Sequence, residues 1–216
     1  MTVSTEFVPP PNSRRGDWTW ELVTMFPRQG EWTESDYLRR EFDGLVEYVD
    51  GTLEFLPMPT FSHQDLVAFL YEQLNSFIGP KRPREVYFAP VRVRMKSGNC
   101  REPDVAFIQS HRISTSDRTQ PSNGADLVME VVSPDPRDRD RDYHEKRNEY
   151  AASGIREYWI VDPDLETITV LTLPDSKDEY VVRGRFENGD IATSALFPEF
   201  VIDVTTCFAI GLTPPS

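Results

Sequence analysis

Along residues 45–56 apolar and polar side chains alternate on either side of Asp50-Gly51, which predicts a β-hairpin closed by a two-residue turn. The period then changes. Over residues 62–79 the residues Leu66, Phe69, Leu70, Leu74 and Phe77 recur at helical spacing, with Ser62 and Asp65 as a capping pair and Gly79-Pro80 as the stop. That stripe reads as core. Alternation returns over residues 86–95, a strand kinked at Pro90, and a turn at residues 97–99 leads into a strand over residues 102–108. Glu102 and Asp104 stand at the mouth of this strand, Glu102 read as solvated. Residues 109–124 are polar and aperiodic.

A strand over residues 127–132, a loop over 133–141, a helix over 142–153 and a strand over 158–161 follow. Asp142 and Glu145 are the candidate cap of that helix, and Gly154 its stop. A β-rich tail closes the chain, with strands at 167–173, 180–186 and 200–204 and a turn at Asn188-Gly189. Upstream, residues 33–38 start as a short helix with acids near its positive end. Residues 1–30 read as an extension broken by Pro9-Pro10-Pro11, from which Trp18 and Trp20 could dock on the body.

The strand–helix–strand unit at 127–161 requires a parallel pair joined by a right-handed crossover. The antiparallel-looking strands before it make the sheet mixed, with helices on both faces. The expected fold is therefore α/β: one domain over residues 31–216 with a β-rich C-terminal extension.

Composition narrows the function. Across 216 residues the hydrophobic share is 38% and the charged share 27%, as in a globular protein with a full core. No apolar run approaches the ~18 residues of a membrane span, and the N-terminus lacks the apolar stretch of a signal peptide. Cys100 and Cys207 match no metal spacing and read as reduced thiols, so a cytoplasmic location and no membrane partner are expected. A net charge of −13 argues against a protein that coats nucleic acid with a basic surface. It leaves room for an enzyme that touches nucleic acid transiently.

The chemistry centres on Glu130, a lone carboxylate inside an apolar strand, which is costly to bury unless paired or bound to metal. Asp104, on the preceding strand, is the natural partner. Two carboxylates from neighbouring strands can share Mg²⁺ or Mn²⁺, which polarises a phosphoryl group and acidifies a bound water. Lys146, one element downstream, could orient that water or stabilise phosphate charge. It could equally form an exposed i−4 ion pair with Asp142, worth only ~0.3–0.5 kcal/mol. Tyr143 and Tyr150, seven apart, read as core. Arg137, Arg139 and Arg141 alternate with acids and read as a solvated loop. Ser133 could support Glu130 or the loop backbone, and no nucleophile elbow surrounds it.

Pro103-Asp104, then Glu130 in a strand, then a lysine resemble the signature of the PD-(D/E)xK restriction-endonuclease-like superfamily. More closely, the segments GTLEFLPMP, SHQDL, APVRVRM, PDVAFI, DLVMEVVSP, DYHEKRNEYAASGIREYWIVDP and LFPEFVID resemble the Uma-two family of endonucleases. The resemblance implies a restriction-endonuclease-like core and a metal-dependent endonuclease acting on DNA, with Asp104 and Glu130 as metal ligands and Lys146 as the assisting cation. By the same resemblance a polar group near Glu54 or His63 helps hold metal or substrate, although a histidine at a helix start is also an ordinary cap. The superfamily lysine usually lies two residues beyond the acid, where this chain has Val132; the Uma-two pattern moves it to the following helix. Asp142, four residues from Lys146, then shares its helix face. A second function stays open: a nuclease-fold binding or regulatory protein that has lost turnover. The C-terminal strands also offer a surface on which a homodimer could form.

Overall fold

A computed structural model describes residues 26–78 and 85–210. In chain order the elements are α1 (Glu34–Leu38), β1 (Val46–Val49), β2 (Thr52–Phe55), α2 (Phe61–Ile78), β3 (Val86–Phe88), β4 (Val93–Arg94), β5 (Cys100–Arg101), β6 (Val105–Phe107) and β7 (Ser122–Asn123). They continue as β8 (Leu127–Val131), α3 (Pro136–Asp140), a π-helical turn (Arg141–Glu145), α4 (Lys146–Ala152), β9 (Glu157–Asp162), β10 (Thr167–Thr172), β11 (Val181–Phe186), β12 (Ile191–Thr193), β13 (Val201–Asp203) and α5 (Val204–Ile210). Gly79-Pro80, Trp18 and Trp20 lie outside the described residues.

The main sheet runs β11-β10-β9-β8-β6-β3. Its one parallel pair is β8 with β9, in register from Leu127 opposite Glu157 to Val131 opposite Val161. The parallel pairing expected of the strand–helix–strand unit is present. Every residue of β8 is buried, so the strand presents two different faces. Leu127, Met129 and Val131 pack with Leu66, Leu70 and Leu74 of α2. Val128 and Val132 pack on the other face with Tyr150, Ala151 and Ile155 around α4. Side chains alternate along a strand. Glu130 therefore belongs to the α4 face.

A second sheet, β2-β1-β5-β4-β7, lies beside the first and was not anticipated as a separate layer. Its hairpin turn is the expected one: Asp50 (φ 46°) and Gly51 (φ 77°) are both left-handed, as a type I′ turn requires. The expected strand over 86–95 is split instead of kinked. Its first half, β3, pairs with β6, and its second half, β4, pairs with β5 and β7 of the other sheet. Proline cannot donate to a ladder, so the chain changes sheets around Pro90.

Three further expectations are corrected. The cap of α2 is Thr60, whose hydroxyl accepts from the His63 N–H at 3.2 Å, and Ser62 lies inside the first turn. Residues 136–140 are helical: Asp135 caps this turn by accepting from the Arg137 N–H, and Pro136 takes the first position, where its missing N–H costs nothing. Asp142 is consequently no cap. In the β-rich C-terminal part, β10 and β11 complete the main sheet, and residues 204–210 form α5, which packs on α2.

Leu70 is fully buried against the sheet while Phe61, at the start of the same helix, is 92% exposed. Leu70→Ala is expected to cost about 2–5 kcal/mol in urea unfolding and Phe61→Ala about 0.5 kcal/mol or less. Equal costs would contradict this assignment of the helix faces.

Candidate active site

Glu130 leaves β8 toward α4, and Lys146 meets it there. The Lys146 ammonium lies 2.9 Å from Glu130 Oε1, 3.4 Å from Asp142 Oδ1 and 3.7 Å from Glu47 Oε1, and the residue is 2% exposed. Tyr150 donates its hydroxyl to Glu130 Oε1 at 2.6 Å. Asp142, Lys146 and Tyr150 are spaced by four, and the π-helical turn starts this row, a distortion often found at functional sites. Immediately before β6, Asp104 Oδ2 accepts the Val131 N–H at 2.8 Å, which locks β6 to β8 at the site. His63 places Nε2 3.4 Å from Asp104 Oδ2 and 3.1 Å from the Val131 carbonyl.

These groups line a cavity of about 40 Å³ that includes Asp104, Glu130, Asp142, Lys146, His63 and Arg141. Larger hollows of about 360 and 710 Å³ exist elsewhere. The small cavity is the candidate active site because the buried acids converge on it, whatever its volume.

One ammonium serves three carboxylates, and they do not share it equally. Burial works against the Glu47 charge, but Lys146, Arg101 and the Glu102 N–H outweigh it and hold the carboxyl down at about 2. Burial wins at Glu130, which is pushed up to about 7 by desolvation and by Asp104, Asp142 and Glu47 despite Lys146. Asp142 is raised by burial in the same way. Lys146 itself is raised, the surrounding acids outweighing its burial. Burial opposes the His63 imidazolium, but its hydrogen bond to Asp104 and the charge there raise its pKa. The site thus holds more carboxylate than its own cations neutralise. His63 Nδ1, Glu102 Oε2, Arg141 Nε and Asp142 Oδ1 are buried without a hydrogen-bond partner, Asp142 Oδ1 keeping ion-pair contacts with Lys146 at 3.4 Å and Arg141 Nε at 3.9 Å. Buried polar atoms are seldom left this way unless water, an ion or a ligand completes them.

A family model described as "Uma2: Putative restriction endonuclease" matches residues 22–205. The chain belongs to the Uma2 family. Among solved structures it is similar to a "putative nuclease belonging to DUF820" from Anabaena variabilis ATCC 29413, with a TM-score of 0.67 at 21% identity, covering 83% of this chain and 98% of that one. No protein of curated function matches. The restriction-endonuclease-like α/β fold expected of a Uma2 member is the fold found.

Against the expected site of a Uma2 member, the structure brings Asp104, Glu130, Asp142, Lys146 and His63 to one cavity and puts Ser133 on its wall. The i−4 pair of Lys146 with Asp142 does form, at 3.4 Å, but it is buried and shared with Glu130 and Glu47. Glu54 does not line the cavity; its Oε2 lies 3.0 Å from Arg101 Nη1. Glu102 is buried, 5% exposed, where a solvated residue was expected, because Tyr37 and the β1 strand cover it. The arginine series is likewise no uniform solvated loop. Arg139 pairs with Asp162 at 2.6 Å, while Arg141 pairs with Asp138 at 2.8 Å and borders the cavity.

Sequence reasoning missed Glu47, Arg101 and Tyr150. A signal for the first two was present. The Asp50-Gly51 hairpin sets Glu47 directly opposite Glu54, and like charges there repel unless a cation lies between them. Arg101 is that cation, 2.8 Å from Glu47 and 3.0 Å from Glu54, and it also reaches Glu149 on α4 at 2.6 Å. Tyr150 was legible only as the next helical step after Lys146.

The donor set also bears on a metal. Among the described residues no three His, Cys, Asp or Glu side chains form a ready-made ligand group. A hard cation such as Mg²⁺ needs less, since one or two carboxylates suffice and waters complete its shell. Asp104, Glu130 and the Val131 carbonyl supply hard oxygen donors, and the carboxylate excess supplies the charge. The residues fit the group.

Two outcomes are expected. Glu47→Ala leaves Arg101 and Lys146 buried with fewer partners and should destabilise the fold by about 3–5 kcal/mol; a neutral result in chemical denaturation would contradict the clamp. For Glu130 the native state keeps a proton that the unfolded chain has released between its ordinary 4.5 and about 7, so its contribution to stability is lost as pH rises through that window. Wild type should lose stability relative to Glu130→Gln between pH 4.5 and 7, and parallel pH curves would contradict this.

Proposed function

We propose that this chain is a metal-dependent endonuclease that hydrolyses DNA phosphodiester bonds. The observation that carries the reading is the meeting of Lys146 with Glu130 at 2.9 Å, on the wall of a cavity that Asp104 also lines. Membership of the Uma2 family supports the reaction class.

Asp104 and Glu130 would hold Mg²⁺ or Mn²⁺, with the Val131 carbonyl as a third oxygen. Such an ion supplies Lewis-acid polarisation of a phosphoryl oxygen and lowers the pKa of a bound water. The chain's own groups do the rest. The Val131 N–H and His63 fix the Asp104 carboxylate, and Tyr150 and Lys146 fix Glu130. Lys146 keeps its proton under all ordinary conditions, so it serves as a fixed positive charge beside the phosphate and takes no part as a base. Arg141, paired with Asp138 at 2.8 Å and with Asp142 at 3.9 Å, adds a second cation at the rim. Glu47 and Arg101 set the position of α4, and with it the lysine.

A second reading is favoured by one observation: Lys146 is already engaged by three carboxylates. On that reading the chain binds metal or nucleic acid without turnover. Plasmid and oligonucleotide cleavage with Mg²⁺ and Mn²⁺ decides between them. Wild type is expected to cleave, and Asp104→Ala and Glu130→Ala to lose roughly 10²-fold or more in rate while keeping their circular dichroism spectra. Undiminished cleavage in both variants would contradict the proposed site. Metal binding by calorimetry with no cleavage of any DNA form would establish the second reading.

A further inference from the structure

The acid cavity and the hollow of about 360 Å³ share one wall, Glu102. Glu102 Oε1 accepts from the Tyr37 hydroxyl at 3.3 Å and lies 3.7 Å from Arg92 Nε, while Oε2 is buried with no hydrogen-bond partner. Around the hollow stand the half-buried rings of Phe42 and Tyr87, the Arg92 guanidinium and, on the loop before β7, the exposed Arg118 and Gln120. Arg92 lies over the Tyr37 ring at 4.7 Å, which fixes its plane beside Glu102. Its volume lies in the range of small-molecule sites. The acid cavity, at about 40 Å³, has room for an ion and little else. A phosphodiester presented there must leave the rest of its nucleotide outside.

The chemistry of the hollow matches a nucleobase. Aromatic walls suit a flat π face, and an amide and two guanidinium groups suit ring carbonyls. The lip of the acid cavity is also apolar. Met58 is 83% exposed between Pro57 and Pro59, which line that cavity, and Phe61 is 92% exposed two residues before His63. Exposed apolar side chains at such a position suit insertion between bases, as in proteins that unstack a duplex step.

We propose that this hollow receives one nucleobase of the bound strand, unstacked from its neighbours and adjacent to the phosphate presented to Asp104 and Glu130. The proposal rests on the nuclease reading for that phosphate and adds the form of the substrate. A base can enter only where it is unpaired or readily extruded, so single strands, frayed ends and mismatches are favoured over a fully paired duplex.

The test is fluorescence anisotropy with the full chain in EDTA, where cleavage plays no part. Three labelled probes of one sequence are used: a single strand, a matched duplex, and that duplex with one mismatch. The single strand and the mismatched duplex are expected to bind roughly tenfold more tightly than the matched duplex. The double variant Arg118→Ala/Gln120→Ala changes two exposed loop residues, and it should lose most of that ratio while keeping its affinity for matched duplex within a few-fold. Equal affinity for all three probes, no binding to any, or a ratio unchanged in the double variant would overturn the proposal. Failure of wild type to cleave with Mg²⁺ or Mn²⁺ would sink the nuclease reading alone, because the binding ratio is measured without metal.

Discussion

The buried Lys146 ammonium is the constraint on which the rest of the structure depends. Removing such a charge from water costs several kcal/mol, and it persists only where opposite charges and hydrogen bonds surround it. Here the compensating acids come from three separate elements: Glu47 from β1, Glu130 from β8 and Asp142 from the π-helical turn. The second sheet, the central sheet and the crossover helix are therefore tied at one point. Arg101 repeats the device one layer away, reaching Glu47 and Glu54 on the hairpin and Glu149 on α4.

This arrangement also gives a physical reason for the displaced lysine. Val132 shares the face of Glu130 but packs into the apolar core with Tyr150, Ala151 and Ile155. A lysine there would open that core. From α4, Lys146 approaches Glu130 from the opposite side of the same space, and the Tyr150 hydroxyl, one helical turn on, completes the coordination of the carboxylate. Lys146 thus reaches Glu130 from the helix that follows the strand.

Much of the fold was legible in the chain. The Asp50-Gly51 hairpin, the α2 stripe and the β8–α4–β9 crossover follow from local periodicity and turn chemistry, which depend on nearby residues. The change of sheet around Pro90 did not, because a long alternating run reads the same whether its halves pair with one sheet or two. The helix at residues 136–140 was hidden by its composition: four charged residues after Pro136 carry no apolar stripe, although Asp135-Pro136 is a regular helix start. At the candidate site, Asp104 was paired with Glu130 because a carboxylate in an apolar strand demands a partner, and the family resemblance added Lys146. Glu102, Glu47 and Arg101 depend on contacts between residues about 50 apart, and only the cross-strand pairing of Glu47 with Glu54 hinted at a buried cation.

On the function proposed, Asp104 and Glu130 would hold a divalent metal beside Lys146. The most direct measurement is anomalous scattering from crystals soaked in Mn²⁺. The expected result is one strong peak within coordinating reach of both carboxylates, with the Glu130–Lys146 contact retained or lengthened. No peak at these residues at saturating Mn²⁺, with both carboxylates still held only by Lys146, Tyr150, His63 and the Val131 N–H, would contradict the account.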